Sequence, residues 1–159
     1  MRSLETFLKL LFLVVLLNLV RYFVGGPIEG MTIMEPMHRV MPRFPEVFDT
    51  AFTRTDFAIS LFYNFMLWFT VELVFHLLHP RLRGPLWVRS LKSYGLMLLF
   101  FCSLAAVYMN HYTAEVKSFY LWSMVDALIL FPLLALANAL LYPLFFRPPR
   151  EGNPASSTP

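Results

Sequence analysis

Four apolar runs, each long enough to cross a lipid bilayer, dominate this chain. They cover residues 4–24, 57–78, 93–112 and 119–146. An α-helix rises about 1.5 Å per residue and the hydrocarbon core is roughly 30 Å thick, so one crossing takes about 20 residues. The first run is nearly unbroken, with Leu8, Leu10, Leu11, Phe12, Leu13, Val14, Val15, Leu16 and Leu17 in series. The fourth is too long to stand upright. It has to tilt, bend at Pro132, or lay its last turns along the interface.

Composition closes off a soluble fold. Apolar residues make up 58% of the chain and charged residues 14%, with 17 phenylalanines. An ordinary soluble domain carries about 45–50% and about 25%, and a small one leaves roughly a third of its surface wet. Lipid is the solvent that fits. The expected fold is therefore all-α, an integral membrane four-helix bundle over residues 1–147.

The first run begins after Arg2 in the manner of a signal peptide. Arg21, however, interrupts the approach to any cleavage site, and Val24-Gly25-Gly26 would leave Pro27 as the next residue. A retained anchor is the reading taken. Lys and Arg placement sets orientation. Arg2, Arg81, Arg83, Arg89, Lys92, Arg147 and Arg150 fall on one side, and Arg39, Arg43, Arg54 and Lys117 on the other. Both termini are thus expected to be cytoplasmic, in the cytoplasmic membrane if the source is bacterial.

Between the runs, residues 25–55 carry Pro27, Pro36, Pro42 and Pro45 and read as a Pro/Met-rich outer loop between helices 1 and 2. Residues 79–92 read as a basic inner turn and 110–118 as a tight outer hairpin. The tail, 148–159, is rich in Pro, Ser, Gly and Asn and reads as disordered. Trp68, Trp87, Trp122, Tyr22, Tyr94, Tyr112 and Tyr120 fall mostly near span ends, as interfacial aromatic belts do. Ser103 and Ala106 offer small side chains where a neighbouring helix can approach.

Charges inside a bilayer are costly, about 2.5–3.5 kcal/mol at the centre on insertion scales, so they usually face protein or water. Lys9, Arg21, Glu72 and Asp126 are in that position. Matching depths pair Arg21 with Asp126 and Lys9 with Glu72. Such pairs fix packing, form a proton or ion path, or snorkel to the interface.

Helix 2 has the richest polar face. Glu72, His76 and His79 stand at i, i+4 and i+7, on one side of a helix. A carboxylate and two imidazoles can hold a divalent metal, relay a proton or simply hydrogen-bond within the bundle. Asp56, Ser60 and Asn64 form a second series nearer the outer end. No two histidines from different helices share a depth, which argues against a bis-histidine haem within one chain.

Met31, Met34, Met37 and Met41 supply four of the nine methionines, with His38 among them. Thioether and imidazole together favour Cu(I). The same spacing also makes one face of a short amphipathic helix that Pro36 could start, resting on lipid or a partner.

Other chemistry is poorly represented. The net charge of +3 comes without a basic, aromatic stripe, so nucleic acid is not an expected partner. Cys102 is the one cysteine, which leaves no intrachain disulfide or cysteine metal cage. There is no G-x-S-x-G, no glycine-rich phosphate loop, no H-E-x-x-H and no di-iron histidine cluster. No catalytic residue is assigned and no cofactor is expected, with copper or another transition metal as the exception. The expected role is a non-catalytic subunit or assembly factor of a larger membrane complex, with membrane lipid and other subunits or a second copy as partners. Two alternatives stand beside it. One is a metal handler or small transporter using the Met/His cluster or the Glu72–His76–His79 face. The other is a lipid-acting enzyme, for which Asp126, Glu72 and His111 are the acid–base candidates.

Overall fold

A computed structural model describes residues 2–48, 51 and 53–146. Every regular element among them is helical, and four helices are long and apolar enough to span a membrane: α1 (Ser3–Arg43), α2 (Arg54–Arg81, its last turn a 3₁₀ turn), α3 (Leu86–Met109) and α4 (Ala114–Phe145). Residue 147 and the tail 148–159 lie outside the described residues. Phe12, early in α1, lies 5.8 Å from Phe145 at the end of α4, which puts these segments at one end of the bundle, the terminal face, opposite the far face.

The largest departure from the sequence reading is α1. Residues 26–43, expected in a loop, continue the first helix. α-Helical turns over Arg2–Val20, Gly26–Glu29 and Glu35–Val40 alternate with wide π turns at Arg21–Gly25 and Gly30–Met34, and a 3₁₀ turn ends the run at Met41–Arg43. The prolines explain the alternation. A proline inside a helix lacks an N–H and its ring collides with the carbonyl four residues back. Each wide turn ends two residues before a proline, Gly25 before Pro27 and Met34 before Pro36. Widening the turn carries the offending carbonyl away and keeps the helix going. Loop character was read from proline content, but the backbone absorbs the prolines instead. The part of the expected loop that is not helical begins only at Phe44.

The other three helices run longer than the apolar runs, so the turns between them are shorter than expected. Thr53 and Asp56 close a reciprocal capping box at the start of α2, with Thr53 N donating to Asp56 Oδ2 at 2.8 Å and Asp56 N to Thr53 Oγ1 at 3.3 Å. Between α2 and α3, Gly84 turns the chain at φ 110°, a conformation open to glycine. α4 starts at Ala114 and passes through Pro132 and Pro143 as one helix of 32 residues.

The helices form a ring in which α1 packs on α2 and α4, and α3 packs on α2 and, most extensively, on α4. The buried side chains of α1 are Leu10, Leu13, Val14, Leu17 and Asn18, an i, i+3, i+4, i+7, i+8 stripe, and Gly25 is buried further along. On α2 the stripe is Trp68, Val71, Glu72 and Phe75. Rings close the diagonal between α2 and α4: Trp68 and Phe131 are 5.0 Å apart, as are Phe75 and Tyr142. Leu99, Phe100 and Leu140 point away from this core and are more than half exposed, as lipid-facing residues should be.

Two sequence readings of packing change. Ser103 is exposed and Ala106 only part-buried, and the small residues of α3 that are buried are Ser90, Ser93 and Ala105. Trp68 and Tyr94, read as interfacial aromatics, are core residues, while Trp87 and Trp122 are exposed.

Gly25 lets α1 lie close against α4, because a Cβ there would stand 2.6 Å from Leu130 Cδ2. Its neighbour Gly26 has open space around it. Alanine is better than glycine in a helix by about 0.8–1 kcal/mol. Gly26→Ala should therefore raise the thermal unfolding midpoint in detergent, whereas Gly25→Ala should lower it as Leu130 is displaced.

Candidate functional sites

Polar side chains gather in two places. The first is a cleft of about 830 Å³ toward the far face, between α1 and the beginning of α2, lined by Arg21, Glu29, Met34, Met37, His38 and Met41 together with Ser60 and Asn64. Arg21 forms an ion pair with Glu29, both side chains about 15% exposed. In a regular helix residues eight apart are displaced by about 12 Å along the axis. The wide turn Arg21–Gly25 and the long guanidinium arm close that gap. The guanidinium carbon also lies 4.9 Å from the centre of the Tyr22 ring, whose hydroxyl accepts from Asn64 Nδ2 at 3.1 Å.

The intramembrane pairs expected from depth are not those formed. Arg21 takes Glu29 rather than Asp126. Asp126 instead accepts from Thr32 Oγ1 at 3.0 Å, and lines, with Arg21, Glu29 and Asn64, a crevice of about 170 Å³. Lys9 pairs with Glu5 at 2.6 Å on an exposed face, leaving Glu72 without it. Both corrections have one cause: each cation finds a carboxylate on its own helix, where no second helix has to be positioned first.

The methionine cluster divides. Met34, Met37, His38 and Met41 face the cleft, while Met31 lies on the other side of α1 in a groove with Glu35, Arg39, Glu115 and Trp122. The Asp56–Ser60–Asn64 series divides too, Asp56 capping α2 and the other two lining the cleft.

The second place is a fully buried layer nearer the terminal face. Glu72 has no exposed surface, and neither do Ser90 and Asn138. Tyr94 donates to Glu72 Oε2 at 2.9 Å. Ser90 donates to the Ala135 carbonyl at 2.7 Å and lies 3.3 Å from Asn138 Nδ2, which donates to it. Glu72 Oε1, Ser93 Oγ, Asn138 Oδ1 and Trp68 Nε1 are buried with no hydrogen-bond partner. Just below, His76 Nδ1 is 2.7 Å from the Tyr142 hydroxyl, which lies 3.5 Å from His79 Nε2. His79 Nδ1 lies 3.0 Å from the His76 carbonyl.

Asp126 and Asn138 are twelve residues apart on α4, so the two places are separated by about 18 Å along that helix. His111 is exposed in the turn after α3. The three acid–base candidates for a lipid-acting enzyme therefore sit in three different places. Among the described residues, no three His, Cys, Asp or Glu side chains come together as a metal site.

No protein-family model, curated protein or solved structure matches this chain. The chemistry has to be read from its own residues.

Glu29, Thr32, Ser90, Ser93 and Tyr142 join these sites without a sequence signal that marks them, and Tyr94 joins as a hydrogen-bond donor rather than as a belt aromatic. Asn138 joins them too and carried a usable signal, a polar amide inside the longest apolar run. Glu29 did not, because its pairing depends on the helix continuing through Pro27.

Removing one partner of a charge-assisted hydrogen bond costs about 1.5–3 kcal/mol. Arg21→Ala should accordingly lower the unfolding midpoint clearly, while Lys9→Ala, which breaks an exposed pair, should leave it unchanged within error. Differential scanning fluorimetry in one detergent compares the two directly.

Proposed function

We propose that this chain is a non-catalytic subunit or assembly factor of a larger membrane complex, oriented with both termini in the cytoplasm. The observation that carries the reading is the length of α1. Its 41 residues make a helix of about 60 Å, twice the roughly 30 Å of hydrocarbon, so even a steep tilt leaves a third of it outside. That projecting part is not purely polar. Met31 is 70% exposed and Met34 39% exposed, and soft, flexible thioethers in contact with water suit a protein partner. The start of α4 packs along the same stretch of α1 and stiffens it. A rigid ledge with an apolar edge is what a second membrane subunit, or another copy of the chain, needs for docking.

Extraction in mild detergent followed by native mass measurement tests this. A particle heavier than one chain is expected, and Met31→Lys should shift it toward the monomer. A wild-type protein that is monomeric and free of other polypeptides would remove the reading.

A second reading, metal handling, draws on the cleft. Three methionines and His38 share one cavity, a donor set suited to Cu(I). Elemental analysis of the purified protein should then find copper that is lost in a His38→Ala, Met37→Leu variant. Equal metal content in both proteins rejects it.

A further inference from the structure

The buried layer around Glu72 points to something beyond docking. A carboxylate with no exposed surface is ordinarily answered by a cation, because an uncompensated buried charge is expensive. Among the described residues none answers this one: the three ion pairs are Lys9–Glu5, Arg21–Glu29 and Arg39–Glu35. From α3 the titratable group facing Glu72 is Tyr94, whose hydroxyl is bonded to Oε2. From α4 it is Tyr142, within electrostatic reach of Glu72, and on α2 it is His76, one turn away. The inward residues of α1 are Leu10, Leu13, Val14, Leu17 and Asn18, none of them charged, and Asn18 is bonded to its own helix at the Val14 carbonyl.

We propose that Glu72 is a proton-exchange site, loaded and unloaded from the terminal face through His79, Tyr142 and His76. Three observations converge on it. The first is the fully buried Glu72 Oε1, which has no hydrogen-bond partner. An ionised carboxylate oxygen can only accept, but a proton on Glu72 removes the charge that nothing there answers. The second is the chain of side chains below, His76 Nδ1 to Tyr142 hydroxyl at 2.7 Å and Tyr142 hydroxyl to His79 Nε2 at 3.5 Å. The third is a gradient of burial. His76 and His79 are half-buried where Glu72 is sealed, so the series leads from the wet end of α2 to the interior.

The step balances without a co-reactant. A proton taken up at His79 Nε2 passes to the Tyr142 oxygen as that hydroxyl gives its own proton to His76 Nδ1, and His76 then releases one from Nε2. His76 stands at i+4 from Glu72, within about 5–6 Å at Cβ. There an N–H bond breaks and an O–H bond forms, the imidazole returns to neutral, and Glu72 goes from one negative charge to none. A metal ion is the poorer occupant. The Tyr94 hydroxyl already presents its hydrogen to Glu72 Oε2, on the side a cation would need.

Infrared difference spectroscopy on the protein in lipid, stepped from acidic to alkaline buffer, reads the site. A protonated-carboxyl stretching band that disappears on alkalinisation is expected, absent in Glu72→Gln. In Tyr142→Phe the band should persist, with its shift in heavy water slowed tenfold or more. No titrating band, or one unchanged in Glu72→Gln, overturns the proposal, and an unslowed band in Tyr142→Phe overturns the route. Should Glu72→Gln fail to fold, wild-type protein treated with a lipid-soluble carbodiimide, which attacks protonated carboxyls, should carry the label on Glu72 in acid and lose it as pH rises. No label at Glu72 also overturns the site.

Discussion

Lipid tails are as apolar as leucine, so four greasy helices gain no hydrophobic energy by leaving lipid for one another. What holds them together is close contact and hydrogen bonding between helices, and the structure shows where each is applied. α1 meets α4 at Gly25, where even a methyl group would collide with Leu130. α3 meets α4 where Ser90 donates directly to the backbone of Ala135. α2 meets α3 through Glu72 and Tyr94. The apolar stripes fill space between these points, but the points set which face of each helix turns inward. Glu72, on the inner stripe of α2, thereby contributes to assembly through its bond to Tyr94.

Hydrocarbon also explains how much of the fold was legible. Length and hydropathy were sufficient for the four helices, since a span is defined by composition over some twenty positions. They were insufficient for α1 beyond Val24. There the residues are mixed and proline-rich, and local composition resembles that of a connecting segment. The helix continues because a wide turn placed ahead of each of Pro27 and Pro36 removes the steric conflict. That solution is backbone geometry, and no residue type announces it. The 3.6-residue stripe of α1, by contrast, is plain in Leu10, Leu13, Val14 and Leu17 once the inward face is known.

Site residues divide along the same line. Glu72, His76 and His79 were visible because charge and imidazole are rare in apolar runs and their spacing places them on one face. Their partners were not, because Tyr94, Ser90 and Asn138 acquire meaning only when α3 and α4 are brought against α2. Depth matching also misassigned the cations. It weighed only pairs between helices, whereas Lys9 and Arg21 each have an acid within reach on their own helix.

That last arrangement bears on how the chain enters a bilayer during synthesis. A nascent polypeptide leaves the ribosome from its N-terminus, so α1 faces the membrane before α2, α3 or α4 exists. Arg21 has its neutralising carboxylate at Glu29, a few residues behind it, and Lys9 has Glu5 just ahead. α1 therefore carries partners for Lys9 and Arg21 within itself and needs no later helix to mask those charges. Glu72 arrives next and must wait for Tyr94 to be made, which gives the order of synthesis a corresponding order of electrostatic completion.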